Sequence, residues 1–225
     1  MTTPRAAFLQ RIRQALADGN RAGAAPPAPS RGGVGYQGAG ADLVQRFCDE
    51  LAAAGGKPHV LGGAEDAAAR VLELVQTAAA KHVLLGRGPV IDRLELADRL
   101  RRRGADVAIV DALGPNNQSD VFFQADVGIT GVLHAVAETG SIVMASGPHD
   151  PRSLSLLPPM HIAVIERGQL LADLFDLFTE FEVDKARLPA CLSLITGPSK
   201  TGDIELTLVT GVHGPGELHV IVVMS

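Results

Sequence analysis

Glu138 stands between a brief apolar segment, Val132 to Ala137, and the small residues Thr139, Gly140 and Ser141. A carboxylate in such surroundings has few cations near it in sequence, and desolvation raises its proton affinity. It can then serve as a general acid or base, or attack an acyl carbon as a nucleophile. Equally, it can hydrogen-bond the amides of its own turn and do no chemistry. A glycine beside hydroxyl residues, as at Thr139-Gly140-Ser141, lets backbone N–H groups converge on a ligand oxygen. A second run, Thr196-Gly197-Pro198-Ser199-Lys200-Thr201-Gly202-Asp203-Ile204-Glu205, combines glycines, hydroxyls and one lysine after a strand-like segment. Those are the parts of an anion cradle. The spacing of a Walker loop is absent, and Lys200 can pair with Asp203 or Glu205 instead. Two further glycine junctions carry Gly131, at the end of Asp126 to Gly131, and His213, within Gly211 to Glu217.

Other chemistries leave no trace. There is no G-x-S-x-G elbow and no G-x-G-x-x-G after a strand. His149 with Asp150, and His213 with His219, lack a recognised metal-ligand spacing, and His161, in an apolar strand, reads as a satisfied core histidine. Cys48 and Cys191 each sit in an apolar run with no C-x-x-C partner, so they are expected to be buried, reduced thiols. No metal and no cofactor is expected on this chain. Twenty basic against twenty-five acidic residues leave a net charge of −5, which lacks the concentrated cationic face that nucleic-acid binding uses. No apolar stretch reaches the length of a membrane span. The first residues show no secretory signal, so the expected location is the cytoplasm.

These residues need elements to position them. Residues 4–18 read as an amphipathic helix with Phe8, Ile12, Ala15 and Leu16 on one face, followed by a Gly/Pro/Ala-rich tether at 19–40. The helix either docks on its own domain or contacts another chain. From Ala41 to Ser225 helical and strand-like runs alternate. Expected strands lie near 59–61, 82–85, 107–110, 126–131, 142–145, 160–165, 192–195 and 219–223. Expected helices run to Gly55-Gly56, over 65–79, through Leu94–Arg103 and over 170–181. Arg101-Arg102-Arg103 fall in a last helical turn, where cations favour the helix dipole, and Gly104 supplies the cap. Such alternation, on 46% apolar residues in 225, predicts a three-layer α/β domain on a mostly parallel sheet. In open sheets of this kind ligands gather at the carboxyl ends of the strands.

Three segments together resemble the lactate-utilization (LUD) domain family and, within it, its protein C branch. They are Asp126–Gly131 with Ala137–Ser141, then Leu157-Pro158-Pro159-Met160-His161-Ile162, then Thr196–Glu205 with Gly211–Gly216. Their order and spacing match over residues 41–225. The resemblance implies a fold of the glucosamine-phosphate isomerase, ribose-phosphate isomerase and CoA-transferase-like group. It also implies a cytoplasmic subunit of a system that oxidises L-lactate to pyruvate, with iron–sulfur clusters in partner proteins. On that view Glu138 and His213 are the catalytic candidates. Gly131, Thr139, Gly140, Ser141, Gly197, Ser199, Lys200 and Thr201 hold a small anionic metabolite. Two other readings stay open: a stand-alone sugar-phosphate isomerase-like or CoA-transferase-like enzyme using Glu138, and a non-catalytic metabolite-binding scaffold. Homo-oligomerisation is open as well.

Overall fold

The computed structural model describes residues 4–19, 38–113, 118–147, 150–183, 189, 191–202 and 208–225. The chain divides into two compact units, 1–36 and 37–225. In the first, α1 (Pro4–Gly19) forms where the apolar spacing predicts it, with Phe8, Ile12 and Leu16 exposed. Most of the expected tether, and the expected Lys200 partners Asp203 and Glu205, lie outside the described residues.

The second unit is built on six strands, all parallel: β1 (Lys57–Leu61), β2 (His82–Leu85), β3 (Asp106–Ile109), β4 (Val127–Gly131), β7 (Met160–Glu166) and β12 (Glu217–Val223), in the order β1-β12-β7-β4-β2-β3. After β2 the chain steps outward to β3 and then returns to lay β4 on the other side of β2. Strands buried on both faces must be apolar at successive positions, and β7 and β12 are, apart from His161 and His219. Along β7, Ile162 and Val164 face a core made with α3 (Ala64–Thr77), α4 (Pro89–Arg93) and α5 (Leu96–Arg102). Ala163 and Ile165 face the opposite core, made with α2 (Leu43–Ala53) and a second sheet. On that same side α6 (Gln118–Gln124) and α7 (Arg152–Leu156) cover Leu84 and Val110. The three-layer α/β expectation is therefore met in its broad form.

Local chemistry fixes the helix that later matters most. The Asp42 carboxylate accepts from the N–H groups of Val44 and Gln45, capping α2. Val44, Phe47 and Leu51 are its inner face. Phe47 and Leu51 are fully buried, and each contributes on the order of 2 kcal/mol. At its far end α2 passes through Gly55 and Gly56 directly into β1. The arginine run behaves as expected: α5 ends at Arg102, and the Gly104 N–H bonds the Arg101 carbonyl.

Other expectations need correction. The run Val132–Ala137, expected only as a brief apolar segment between strands, itself contains β5 (His134–Val136), which pairs antiparallel with β6 (Ser141–Ala145). These strands, with β8 (Leu170–Leu171) and β9 (Leu192–Ile195), form a separate sheet in the order β8-β5-β6-β9. The helix expected over 170–181 begins at Leu174 as α8 (Leu174–Val183), because Leu170 and Leu171 pair with Ala135 and Val136. The helix expected through Leu94–Arg103 is two helices, broken at Glu95, which takes φ +49°. A small hairpin, β10 (Lys200–Gly202) with β11 (Leu208–Thr210), completes the fold.

Candidate functional site

The parallel strands give the sheet two distinct edges, and the residues singled out above divide between them. Most lie at the amino edge. The turn carrying Glu138, Thr139 and Gly140 joins β5 to β6 and presses on the last turn of α2. Gly140 has φ +63°, and a β-carbon on it would lie 2.2 Å from the Leu51 nitrogen. Gly197, at φ +87°, meets the same helix end: its β-carbon would lie 2.6 Å from the Ala54 carbonyl oxygen. Both glycines are thus required by backbone packing, whatever else their amides do. Lys200 Nζ donates to the Ala54 carbonyl at 2.6 Å, so its charge complements the carboxyl end of α2. A hydroxyl chain ties the two loops together, with Thr139 Oγ1 2.8 Å from Ser141 Oγ and Ser141 Oγ 2.5 Å from Thr196 Oγ1.

Beside these loops lies a cavity of about 130 Å³ lined by Ser155, His161, Gly197, Ser199, His213 and their apolar neighbours Ile195 and Leu218. Its walls are cross-braced by backbone bonds: Ser199 N–H to the Pro215 carbonyl at 2.8 Å, Gly211 N–H to the Ser199 carbonyl at 3.0 Å, and Gly216 N–H to the Pro159 carbonyl at 2.9 Å. His213 is exposed, Ser199 is partly so, and His161 is fully buried. The cavity therefore runs from solvent toward the core. His161 Nε2 lies 2.8 Å from Thr130 Oγ1, whereas His161 Nδ1 has no hydrogen-bond partner among the described residues. Burial pulls the His161 pKa down to about 4. The reading of His161 as a satisfied core histidine is half right.

Glu138 lies partly exposed in its turn, with its N–H bonded to the Ala172 carbonyl at 3.0 Å, and it does not line this cavity. Thr201 is in β10, paired with Val209. Gly131 is elsewhere. It ends β4 at the carboxyl edge, the far end of a strand roughly 15 Å long. There it lines a larger cavity, about 380 Å³, with Arg87, Gly88, Met144, Asp150 and Glu166. This is where β2 and β4 part as the chain reverses direction across the sheet, the position that open α/β sheets offer to ligands. The Arg87 guanidinium is held by Asp92, its Nε 3.0 Å from the carboxylate. Glu166 is bridged by Arg93. The predicted set thus gathers mainly at the edge opposite the one the strand-end rule names.

Of the other histidines, His149 lies outside the described residues, and His59 and His219 pair with each other. His219 is not beside a ligand for a metal: its Nδ1 lies 3.0 Å from His59 Nε2, with the rings stacked at 5.3 Å. Burial lowers the pKa of both, that of His59 to about 4. Among the described residues no group of three or more His, Cys, Asp or Glu is arranged to hold a metal ion. Cys48 and Cys191 are free, and only partly buried where full burial was expected. Burial, then the nearby Asp49 and Asp42 carboxylates, raise the Cys48 pKa. No helix among the described residues is long and apolar enough to cross a membrane.

Residues 44–223 match the LUD domain family. The chain belongs to the LUD domain family. The match takes in all the strands of the main sheet and both cavities. A protein of Halalkalibacterium halodurans named lactate utilization protein C is 37% identical over 139 residues, which span 60% of this chain and 60% of that protein. One of the same name from a Geobacillus species is 35% identical over 71% of this chain and 70% of its own length. Among solved structures, a DUF162-family protein of Deinococcus radiodurans superposes with a TM-score of 0.59 at 22% identity. That superposition covers 80% of this chain and 96% of the other, a likeness of fold.

Three residues of this LUD domain escaped the sequence reading as site candidates: His161, Ser155 and Arg87. His161 carried a signal, since a ring with two polar nitrogens inside an apolar strand needs two partners. Arg87 followed β2 within a glycine pair, but that pair is too short to specify a binding loop.

Proposed function

We propose that this LUD domain chain is a cytoplasmic component of an L-lactate utilization system, supporting oxidation of L-lactate to pyruvate together with iron–sulfur partner proteins. Relatives named lactate utilization protein C support the reading, and its fold would then be of the sugar-phosphate isomerase and CoA-transferase-like group. The observation that carries it is the meeting of Gly197, Ser199 and His213, from two separate sequence motifs, on one small cavity. A space of about 130 Å³ is close to that of a cavity of about 150 Å³ that binds a six-carbon ring, a size that suits a small organic acid. Ser199 and the amides of the Gly197 loop hold the carboxylate. Thr139, Gly140, Ser141 and Thr201 shape the surrounding loops, Lys200 adds positive charge to the edge, and Gly131 belongs to the opposite cavity. Oxidation takes two protons and two electrons from lactate, at its C2–H and O–H bonds. His213, which lines the cavity, or Glu138, by way of water from the neighbouring turn, accepts one proton and the other passes to solvent, while the two electrons would be taken up by the clusters of the partner proteins.

The test is reconstitution of lactate-dependent dye reduction from the purified chain and the iron–sulfur proteins of a lactate-utilization system. Activity is expected only from the combination, falling when Ser199→Ala or His213→Ala replaces the native chain. Turnover by the isolated chain, or undiminished turnover when this chain is left out, overturns the proposal.

A further inference from the structure

We infer that His161 is a ligand-binding residue of the amino-edge cavity, its Nδ1–H donating to an oxygen of a small carboxylate, with Thr130 as the positioning residue that sets the tautomer. The inference rests on the proposed anionic-metabolite reading of that cavity and deepens it.

The middle of β7 is buried, so its polar groups must find partners inside the protein. At the position of His161 the strand faces the core shared with α2 and the second sheet, as Ala163 and Ile165 do. An aliphatic side chain would fill that place without polar cost. Histidine brings two ring nitrogens, and a buried one left unpaired weakens the fold unless something else satisfies it. Thr130, on the neighbouring strand β4, satisfies one of them, at 2.8 Å from Nε2. The other belongs to a residue that lines a cavity and has no partner among the described residues.

The proton count follows from Thr130. Its hydroxyl has a single hydrogen and two neighbours to give it to: His161 Nε2 at 2.8 Å and Met144 Sδ at 3.9 Å. In the inferred arrangement the hydroxyl donates to Nε2, the nearer and, when unprotonated, much stronger acceptor. The opposite arrangement, Nε2–H to Oγ1 with the hydroxyl turned to Met144 Sδ, is the one the experiment would expose. Burial keeps the ring neutral at ordinary pH. A neutral ring with an accepting Nε2 carries its one hydrogen on Nδ1. The Nδ1–H, closed off from water behind the inner end of the cavity that this residue lines, is then a fixed donor, which selects an oxygen acceptor. Ser199, partly exposed above it, supplies a second donor, and His213 stands at the mouth. Two donors around a space of a few heavy atoms fit one carboxylate.

The experiment uses the full chain with nitrogen-15-labelled histidine. The free protein is expected to show His161 with its hydrogen on Nδ1, and Thr130→Val to lose that preference while Thr130→Ser keeps it. Titration with L-lactate, followed in parallel by calorimetry, is expected to move the His161 Nδ1 resonance. His161→Gln is expected to bind L-lactate roughly 10- to 100-fold more weakly. If L-lactate binds and the His161 resonances stay still, the inference fails while the lactate reading stands. If L-lactate does not bind but pyruvate or acetate moves Nδ1, the inference stands and the lactate reading fails; a response to inorganic phosphate alone overturns the carboxylate assignment. If none of the four moves it, or if the hydrogen is on Nε2, the inference is overturned. The wild-type spectra decide even where a variant does not fold.

Discussion

Replacing His161 by glutamine removes a titrating group from a fully buried site, and its effect on acid stability can be worked out in advance. An ordinary histidine takes up its proton near pH 6.5, whereas burial delays this in the folded chain to about 4. Between those values the unfolded chain holds a proton that the folded chain refuses. The contribution of His161 to stability is therefore fully present above pH 6.5 and is lost as pH falls toward 4. At about 1.4 kcal/mol for each tenfold in proton affinity, the loss amounts to roughly 3 kcal/mol, a large share of a typical domain's stability of about 5–15 kcal/mol. Urea unfolding of wild type and His161→Gln, measured from pH 7.5 to 4.5, reads it directly. At pH 7.5 the variant is expected to be less stable by about 1 kcal/mol, having lost the Thr130 bond. Toward pH 4.5 the gap closes and reverses as the wild type weakens faster. His59 and His219 weaken both proteins alike and drop out of the difference. A gap that does not change with pH refutes the argument that His161 is held neutral by burial.

Three further outcomes follow from the amino edge. Gly140→Ala forces a β-carbon within 2.2 Å of the Leu51 nitrogen at φ +63°, so it is expected to cost on the order of 3 kcal/mol and lower Tm by several degrees. Gly104→Ala, which meets nothing within 4 Å, costs less, and equal losses in the two would refute the packing account. Lys200→Met removes the cation from the end of α2 and is expected to lower stability by less than about 1 kcal/mol, a loss that disappears in high salt; a salt-independent loss points to another role. Glu138→Gln keeps shape and deletes the carboxylate. If Glu138 takes the proton, reconstituted lactate oxidation falls about 100-fold or more with Tm unchanged, and full turnover removes it from the mechanism.

Much of this architecture can be read in the sequence because helices and parallel strands leave different periodicities. The runs at 82–85, 160–165 and 219–223 are short, apolar and bounded by turn residues, and all became strands of the main sheet. The second sheet is hidden for a physical reason. Val132–Ala137 is apolar without alternation, since β5 is covered on both sides, and such a run reads equally as a crossing segment. Leu170 and Leu171 match the helical spacing of Leu174 and Phe178, so only their pairing with β5 marks them as a strand. Site residues are harder still, because one residue type answers two needs. Gly140 and Gly197 look like glycines that admit a ligand, yet the contacts that demand them come from α2. A lysine in a glycine loop looks like an anion holder, yet Lys200 caps a helix. His161 shows the converse: a polar residue in a strand passes for core until its second nitrogen is counted.

The last turn of α2 is a common footing for two loops that are distant in sequence, one bearing Gly140 and the other Gly197. An inserted or deleted residue between Leu51 and Lys57 would rotate that footing by about 100° and lift both loops together, although neither had changed. The length of this helix is therefore under tighter geometric discipline than its solvent-facing side chains suggest. A binder that grips the outer face of α2 at Gln45 and Asp49 would hold a lever whose short arm ends at the cavity wall.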